Sequence, residues 1–493
     1  MKIRNKYLVV RTDPSAPEKP VEARDDNGNL LFKLLIRADK SGLPYYLDAE
    51  RFVGQSVNFS CNGKEFIFDG EADAPALRFY EEAKLRPALH CTVPEGWLND
   101  PNGLVFFNGK YHVFCQHNPL GTAWGNMHWH HFTTDDFVNF QSLGEALFPD
   151  ECGTMFSGSA ICDTENVSGL GKNSLLLFYT IAEYPLPDKS PLFSQGLAYS
   201  TDGISFKKYE GNPIVPNIKG ENRDPKVVFV PEIESFVMAL YLDGDEYCFL
   251  RSDNLLDWTF FQSLHLPSDA ECPDLYFVEE SGKWVFSGAS DCYIVGHFEK
   301  SGFVAEQEPL RYYRELDGRL SYAAQSFSGT GGRVLRMSWE NIDPENSQCF
   351  CGQLSIPMEM TLVTLTDGTK RLKSNICKEM EGRLKAVRKG CFKSLVIEGA
   401  FIADIKIPDN DFWIGIDSTL FKISKSNNTL SFNENSIPLS LSGKYSLRLI
   451  VDTMSIEISA DDGLVFSSVK NVCKGTKRTV SFSDGNLELT VLQ

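Results

Sequence analysis

The sequence predicts an all-β protein that is built from many short strands. Short apolar or alternating runs, such as Gly103–Phe107, Tyr111–Gln116 and Leu175–Ile181, are separated by Gly, Asp, Asn and Pro residues. Long segments with a helical period are missing, and one short helix is predicted at Pro75–Lys84. At 493 residues the chain is too long for one ordinary core, so two or three domains are expected. Such a pattern is typical of sandwiches, barrels and propellers.

Three segments of the chain differ in composition, and each one predicts a domain. Residues 1–85 contain four or five possible strands but no cluster of catalytic residue types, which predicts an N-terminal β-rich accessory domain. Residues 86–365 hold all of the seven tryptophans but one and all eight histidines. Because they also contain the acidic motifs described below, they are expected to be the catalytic domain. Residues 366–493 alternate apolar and polar side chains, as in Ser446–Val451, which is typical of half-buried sheets. The basic Lys370–Lys389 segment is expected to be a linker.

The charge of the chain argues against a nucleic-acid partner. It has 48 Lys and Arg residues against 66 Asp and Glu residues, a formal net charge of −18. Because affinity for nucleic acids depends on clustered positive charge, and no run of Lys or Arg stands out, a small neutral substrate is expected instead.

The apolar segments and the cysteines predict a cytoplasmic protein without a membrane anchor. Near the start, the apolar run Tyr7–Val10 is interrupted by Arg11 and Asp13, so it does not resemble the core of a signal peptide. The run Leu175–Ala182 is far shorter than a membrane span. Thirteen cysteines without regular spacing indicate reduced thiols. The sequence leaves the oligomeric state open.

Three acidic segments place a carboxylate among turn-forming residues. They are Trp97-Leu98-Asn99-Asp100-Pro101-Asn102-Gly103, Arg223-Asp224-Pro225 and Glu271-Cys272-Pro273-Asp274. A proline at or near the next position favours an extended or turn conformation and can aim the carboxylate into a cleft. Taken alone, each segment is better explained as an ordinary turn, because Asp-Pro and Asn-Gly are common turn formers.

Together and in this order, the three segments resemble the signature blocks of glycoside hydrolase family 32, the invertases, levanases and inulinases. The resemblance runs from about residue 86 to the end of the chain, so residues 1–85 lie outside it. The further matching blocks are Arg86-Pro87 with His90, Gln116-His117-Asn118-Pro119, Trp124-Gly125-Asn126-Met127-His128-Trp129, Phe156-Ser157-Gly158-Ser159-Ala160, Gln195-Gly196-Leu197-Ala198-Tyr199-Ser200, Tyr322-Ala323-Ala324-Gln325, Met337-Ser338-Trp339, and Val451-Asp452 through Glu457 to Gly463.

This resemblance implies a five-bladed β-propeller with a central acidic pocket, followed by a C-terminal β-sandwich. It implies a retaining glycoside hydrolase that cleaves terminal β-D-fructofuranosyl bonds in sucrose or short fructo-oligosaccharides, without a metal or another cofactor. Asp100 would be the nucleophile, Glu271 the general acid/base, and Asp224 a stabiliser that binds fructose hydroxyls. The residues implied to line the fructose site are Asn99, Gln116, Trp124, Phe156, Ser157, Arg223, Tyr322 and Trp339.

The chemistry explains why two carboxyl groups are needed. Glycosidic cleavage passes through an oxocarbenium-like state, which one carboxylate attacks while the other group protonates the leaving oxygen. Retention requires the two carboxyl groups to lie about 5–5.5 Å apart. Their pKa values must differ, and we expect Asp224 to raise the pKa of Glu271 and Arg223 to keep Asp224 ionised. Asp274 is expected to be a structural residue that caps the turn.

Two departures from the family pattern concern the rim of the pocket. Ser268-Asp269-Ala270 stands where the family usually has a large residue before its Glu-Cys-Pro-Asp block, and Pro357-Met358-Glu359 stands where Pro-Arg-Glu is expected. These differences affect the preferred substrate rather than the reaction. The small residues Ser268 and Ala270 are expected to widen the leaving-group side, which favours oligosaccharides over sucrose alone. The resemblance implies an exo-acting enzyme, because the family's central funnel narrows to a pocket that encloses one fructose.

Other interpretations of single motifs are less specific. His128-Trp129-His130-His131 suggests a metal site, but no carboxylate or cysteine stands at ligand spacing beside it in the sequence, so a polar lining or core packing is expected. Cys272 has no identifiable His partner and is expected to be a small buried residue.

Two rival functions remain open from the sequence. A fructosyltransferase would form the same fructosyl-enzyme and differ only in the acceptor. A non-catalytic carbohydrate-binding protein would not need a nucleophile, so the three retained acids argue against it. The sequence does not separate sucrose, sucrose 6-phosphate, fructo-oligosaccharides, levan and inulin as substrates.

Overall fold

Strands make up most of the protein, which confirms the all-β fold class. The computed structural model describes residues 1–76, 85–185, 191–342, 349–408, 410–439, 446–473, 475–483 and 488–493. The helices in these parts are one short α-helix, α1 (Lys378–Glu381), and the 3-10 turns Glu50–Phe52, Pro231–Ile233, Glu279–Ser281 and Asp461–Gly463. The helix predicted at Pro75–Lys84 lies outside the described residues from residue 77 on. No helix among the described residues is long and apolar enough to span a membrane.

The N-terminal segment folds into two small sheets around its own core. Strands β1 to β7 are Tyr7–Thr12, Lys19–Arg24, Leu30–Ile36, Leu43–Asp48, Asn58–Cys61, Lys64–Glu65 and Gly70–Ala72. They pair in the orders β4-β1-β7 and β3-β2-β5-β6. Because β1 and β3 alternate buried and less buried residues, each sheet has one apolar face, and residues such as Leu8, Phe32 and Leu34 meet between the sheets. The core also takes in Leu120, from the part of the chain that follows.

The described residues between 96 and 376 form five sheets, which we number sheets 1 to 5 and which are antiparallel apart from the pairing of β27 in sheet 1. Sheet 1 contains β8 to β11 and, later in the chain, β27; sheet 2 contains β12 to β15, sheet 3 β16 to β19, sheet 4 β20 to β24, and sheet 5 β25, β26 and β28 to β30. Strands β8 to β30 are Gly96–Phe107, Lys110–Asn118, His128–Thr134, Gln141–Leu147, Gly153–Asp163, Ser174–Glu183, Phe193–Ser200, Lys207–Lys208, Arg223–Val230, Ser235–Asp243, Glu246–Ser252, Thr259–His265, Asp274–Val278, Lys283–Ser287, Cys292–Glu299, Gly302–Ala305, Leu310–Arg311, Ser321–Ser326, Val334–Glu340, Phe350–Cys351, Gln353–Leu354, Met358–Thr364 and Lys370–Ile376.

The first strands of the five sheets contact one another in a closed circle. β8 contacts β12, β12 contacts β16, β16 contacts β20, β20 contacts β25, and β25 contacts β8. Closure is reinforced where β27 pairs in parallel with β8, Phe350 opposite Gly96 and Cys351 opposite Trp97. Gly352 is needed beside this seam, because a Cβ there would lie 2.2 Å from the carbonyl oxygen of Leu98. This circle brings together segments that are far apart in sequence.

The C-terminal segment is a pair of six-stranded sheets. Strands β31 to β42 are Ala386–Cys391, Ser394–Glu398, Phe401–Lys406, Phe412–Ile416, Thr419–Ser424, Thr429–Phe432, Asn435–Pro438, Ser446–Val451, Ser455–Ala460, Val465–Lys470, Lys477–Phe482 and Glu488–Leu492. Their orders are β31-β42-β33-β38-β39-β40 and β32-β41-β34-β35-β36-β37. Side chains such as Ile414, Phe421 and Ile456 form a common apolar core, as expected for a β-sandwich.

The end of sheet 5 differs from the boundary expected near residue 365. β30 (Lys370–Ile376) pairs with β29 along its whole length, so sheet 5 extends to Ile376. The Lys370–Lys389 segment expected to be a linker therefore contains an outer strand of sheet 5, the helix α1 and the start of β31. Its basic residues suggested a linker because alternate side chains of an outer strand face solvent.

A buried ion pair joins the two larger units. The carboxylate of Asp452, which follows β38, accepts hydrogen bonds from the backbone N–H groups of Ala88, Leu89 and His90, at 2.9, 2.7 and 3.2 Å. Its Oδ2 also lies 2.8 Å from His90 Nδ1. This contact fixes the segment that leads into β8 against the sandwich.

Candidate active site

The predicted site residues meet in one pocket at the end of the circle of first strands. The pocket has about 560 Å³ of open space, including its mouth. All eleven residues expected to act on or bind the sugar line it, together with two that were not predicted to do so, Met127 and Cys272. The eleven are Asn99, Asp100, Gln116, Trp124, Phe156, Ser157, Arg223, Asp224, Glu271, Tyr322 and Trp339.

Local irregularities in the first strands aim these side chains into the pocket. The strand register shifts between Leu98 and Pro101 in β8, between Phe156 and Gly158 in β12, between Arg223 and Lys226 in β16, and between Tyr322 and Gln325 in β25. A β-bulge changes the direction of a side chain at the cost of one pairing. Asp100, Ser157 and Asp224 all lie within these shifts.

Two of the three acids adopt the left-handed backbone region. Asp224 has φ 64° and Glu271 has φ 54°, and Cys272 follows with φ 37°. Non-glycine residues seldom take this conformation, which costs free energy and is found where the surrounding structure enforces it. The extended conformation favoured before proline is therefore not the one at Asp224, because the bulge in β16 imposes a turn.

Asp100 lies on the floor of the pocket and accepts hydrogen bonds from neighbouring side chains. The hydroxyl of Ser157 donates to Asp100 Oδ2 at 2.6 Å, and the thiol of Cys272 lies 3.5 Å from the same oxygen. Burial raises the pKa of Asp100, and the charge of Glu271 raises it further, whereas the bonds from Ser157 and Asn99 lower it. Ser157 thus favours the ionised form that a nucleophile needs.

Glu271 is held by two donors. Arg223 Nη2 donates to its Oε1 at 2.6 Å, and the hydroxyl of Tyr322 donates to its Oε2 at 2.5 Å. The carboxyl group remains about one third exposed, so it faces the open side of the pocket. This orientation suits a group that exchanges a proton with a leaving oxygen and then with water.

Asp224 is the most buried of the three acids. Its Oδ2 accepts a hydrogen bond from the backbone N–H of Cys272 at 3.0 Å, and the Arg223 guanidinium lies 3.8 Å away. Burial raises the pKa of Asp224 to about 7, against the attraction of Arg223, and the charges of Asp100 and Glu271 add to the increase. Arg223 acts on Asp224 in the expected direction, because its charge favours the ionised form, but burial outweighs it. The short contact of Arg223 is with Glu271.

Aromatic rings form the walls. Trp124 is 55% exposed at the mouth and packs edge-on against Phe156, with ring centroids 5.8 Å apart. Trp339 packs edge-on against Trp97 at 5.7 Å, across the seam between β26 and β8. The indole N–H of Trp339 is buried and has no acceptor in the described part of the chain. Flat apolar walls with polar groups on the floor are suited to a sugar ring.

Cys272 is one of the two pocket residues, with Met127, that sequence reasoning missed. Its thiol lies 3.5 Å from Asp100 Oδ2 and 3.4 Å from Asp224 Oδ2, so it stands between the two carboxylates. Burial and both carboxylates raise its pKa, which keeps it a neutral donor. Its position next to Glu271 was visible in the sequence, but its contacts with Asp100 and Asp224 require the folded circle.

Asp274 is structural but does not cap a turn. It is fully buried at the start of β20, where its Oδ1 lies 2.9 Å from Lys226 Nζ and accepts from the hydroxyl of Ser326 at 2.9 Å. Arg336 Nε lies 3.5 Å from its other oxygen. The carboxylate therefore joins the first strands of sheets 3, 4 and 5 behind the pocket.

The histidine cluster does have a carboxylate beside it, which corrects the sequence interpretation. Glu145, in the neighbouring strand β11, places one oxygen 2.7 Å from His117 Nδ1 and 3.0 Å from His130 Nδ1. The three ligand atoms lie within 4.8 Å of one another. His128, His130 and His131 are buried, as expected for core packing. Glu145 could not be identified as a neighbour of His130 from the sequence, because the two residues meet only through the pairing of β10 with β11.

The chain is similar to known proteins over most of its length. Residues 90–375 match the N-terminal domain of glycosyl hydrolases family 32. A levanase of Bacillus subtilis (strain 168) is 33% identical over 463 residues, covering 80% of this chain and 67% of the levanase. An invertase of Schizosaccharomyces pombe is 30% identical over 320 residues, covering 57% of this chain and 54% of the invertase.

A solved structure shares the architecture. The exo-inulinase of Aspergillus awamori has a TM-score of 0.72 at 22% identity, covering 84% of this chain and 99% of the inulinase chain. The likeness shows that the two chains have the same fold, a β-propeller joined to a β-sandwich.

Proposed function

Because this chain belongs to glycoside hydrolase family 32 and is a fructosyl hydrolase of the β-fructofuranosidase type, we propose that Asp100 is its nucleophile and Glu271 its acid/base. The observation that carries the proposal is the pocket itself. Asp100 on β8, Asp224 on β16 and Glu271 in the segment before β20 line one cavity with Arg223 and Tyr322. A binding protein would not need three carboxyl groups on one floor, because like charges raise one another's pKa and destabilise the site.

In the first step, a carboxylate oxygen of Asp100 attacks the anomeric carbon of the fructosyl unit. Glu271 donates its proton to the glycosidic oxygen, so the bond between that oxygen and the anomeric carbon breaks and the leaving sugar departs. Arg223 and Tyr322 hold the Glu271 carboxyl group in place. The product of this step is a fructosyl ester on Asp100.

In the second step, water completes the reaction. Glu271, now a carboxylate, takes a proton from the water molecule as its oxygen attacks the anomeric carbon, and the ester bond to Asp100 breaks. Two inversions give net retention. Asp224 and Asn99 would accept hydrogen bonds from fructose hydroxyls, and these contacts discriminate strongly because a missing partner leaves a buried polar group unpaired.

The five sheets are proposed to be the blades of a five-bladed propeller. The closed circle of contacts among the five first strands supports this assignment. The domain limits that fit it are residues 1–85, 86 to about 376, and the remainder of the chain.

A cytoplasmic location and catalysis without a cofactor remain proposals. Cysteines such as Cys115, Cys248 and Cys292 are reduced thiols, which suits a reducing compartment. The two carboxyl groups supply both the proton and the covalent bond, so the reaction needs no metal.

The carboxylate assignment is tested with near-isosteric variants. Asp100→Asn removes the nucleophile and Glu271→Gln removes the proton donor, so each should lower kcat by at least about a thousandfold. Thermal melting checks the fold of each purified variant. Asp26→Asn, in an exposed turn of the N-terminal domain, is the control and should retain full activity. Substantial turnover by Asp100→Asn would falsify the nucleophile assignment.

The mode of attack is tested by the order in which products appear. A pocket that closes around one fructosyl unit should release one terminal fructose at a time. Chromatography of a short inulin digest should therefore show free fructose first. Early di- and trisaccharides without fructose would show endo-cleavage instead.

A further inference from the structure

The N-terminal domain holds the loop that carries Trp124. The hydroxyl of Thr12 donates to the carbonyl oxygen of Leu120 at 2.9 Å. Asn126 Oδ1 accepts from the backbone N–H of Leu35 at 2.7 Å, and Asn126 Nδ2 donates to the carbonyl oxygen of Leu35 at 2.8 Å. With Leu120 buried in the N-terminal core, both ends of the loop between β9 and β10 are fixed by that domain.

A narrow groove between the N-terminal domain and this loop borders the active-site pocket. We call it the rim crevice; its lining includes Asp13, Glu18, Leu35, Arg37, Trp124 and Asn126. Trp124 lines both the rim crevice and the active-site pocket. The rim crevice has about 310 Å³ of open space including its mouth, but its floor admits only about one water molecule. A sugar ring would lie across the mouth and point a hydroxyl into it.

The polar groups of the rim crevice suit a neutral, hydroxyl-rich ligand. Arg37 Nη2 donates to Glu18 Oε1 at 3.1 Å, so a donor and an acceptor stand side by side. Arg37 Nη1 already donates to the carbonyl oxygens of Pro14 and Ala16, at 3.3 and 2.9 Å, so Nη2 is the donor left for a ligand. Glu18 is exposed and retains acceptor capacity. A sugar hydroxyl can accept from Arg37 and donate to Glu18 at the same time.

From this continuity we infer that the N-terminal domain forms a subsite for the part of a fructan beyond the fructosyl unit that is cleaved. The ring of that part stacks on exposed Trp124, and its hydroxyls bind Glu18 and Arg37. The inference rests on the proposed function and extends it, because it assigns a binding role to a domain that lies outside the matched residues 90–375. The N-terminal domain would then set the preferred chain length.

The test compares substrates of different length with the full chain. The ratio of kcat/KM for inulin- and levan-type oligosaccharides of four to six units to kcat/KM for sucrose is measured for wild type, Glu18→Ala and Arg37→Lys. Loss of a hydrogen bond to a charged group should lower this ratio about tenfold in Glu18→Ala, mainly through KM. Arg37→Lys, which removes the planar fork, should lower it as well. Asp26→Ala, at the opposite end of β2 from Glu18, is the control and should leave it unchanged.

Three outcomes would contradict the inference or its premise. An unchanged ratio in both variants overturns the subsite while the enzyme remains a fructosidase. An equal loss of kcat/KM on every substrate also overturns it, because that result would mean a structural role for Glu18. A wild-type chain that releases fructose from none of these substrates overturns the proposed function itself.

Discussion

The hydrogen bond from Ser157 to Asp100 favours the ionised form of the proposed nucleophile. Because it lowers the pKa of Asp100 against the effect of burial, Ser157→Ala should raise that pKa. Asp100 must be ionised to attack, so the acid limb of the kcat/KM profile should move to higher pH. A pH–rate profile between pH 3 and 8 measures the shift.

A matched control lies two residues further along the same strand. Ser159 is buried on β12 like Ser157, but its hydroxyl donates to the carbonyl oxygen of Pro225 at 2.8 Å rather than to a carboxylate. Ser159→Ala should lower stability without moving the acid limb. If both variants left the limb unchanged, Ser157 would not tune the nucleophile.

Residues could be assigned to the pocket from the sequence only where they belong to a recognisable motif. All eleven predicted site residues line the pocket, because each stands inside a block that resembles the family. Cys272, Lys226 and Glu145 were not assigned their contacts, since each contact crosses from one sheet or strand to another. Neither Lys226 with Asp274 nor Glu145 with His130 leaves any local pattern in the sequence.

At the scale of elements, strands were predictable and their irregularities were not. Short apolar or alternating runs predicted strands such as β9 and β13, because one or both faces of these strands are buried. The bulges that aim Asp100, Ser157 and Asp224 depend on how the first strands meet around the circle. The alternation of apolar and polar residues along a strand does not indicate the residue at which the register with the neighbouring strand shifts.

The contact between Asp452 and the segment before β8 should stabilise the protein above acidic pH. Burial opposes ionisation of Asp452, but the bonds from His90 and the backbone lower its pKa to about 2. A carboxyl group whose folded pKa is depressed contributes stability above its unfolded pKa of about 4 and loses it as the pH falls toward 2. Asp452→Asn should therefore lower the free energy of unfolding at pH 7 by about 2 kcal/mol, measured by urea titration.

The difference between wild type and Asp452→Asn should shrink at pH 3. The control is Asp404→Asn, in the same sandwich, where Arg448 pairs with a more exposed carboxylate. Exposed pairs contribute about 0–1 kcal/mol, so a small effect is expected. Equal effects of the two substitutions at pH 7 would refute a special role for Asp452.

For the whole molecule, we expect activity and stability that are independent of metal ions. His117, His130 and Glu145 form one buried group with ligand spacing, and His90, Glu340 and Glu457 form another. In the first group both histidines already bond the same Glu145 oxygen. Exhaustive dialysis against EDTA should leave kcat and Tm unchanged. A loss that one divalent cation restores would identify a metal site.

The order of the domains could be predicted from the sequence, whereas their contacts could not. Differences in composition and the resemblance of the motifs indicated an N-terminal β-rich unit, a region of sheets and a sandwich. The docking of Leu120 into the N-terminal core, and of Asp452 onto the segment before β8, joins residues that are remote in sequence. No single segment shows such a contact, because each partner is an ordinary apolar or acidic residue on its own.

The pairing of β27 with β8 has a consequence for how the nascent chain folds during translation. Phe350 and Cys351 stand beyond the two-thirds point of the 493-residue chain, whereas all three acids and Trp339 precede them. A nascent chain that stops short of Phe350 would carry the complete set of pocket residues and all five first strands, and would still lack the strand pairing that reinforces the closed circle. Catalytic activity should therefore appear late in translation. Before that point, the growing polypeptide would contain an incomplete set of sheets and would be inactive.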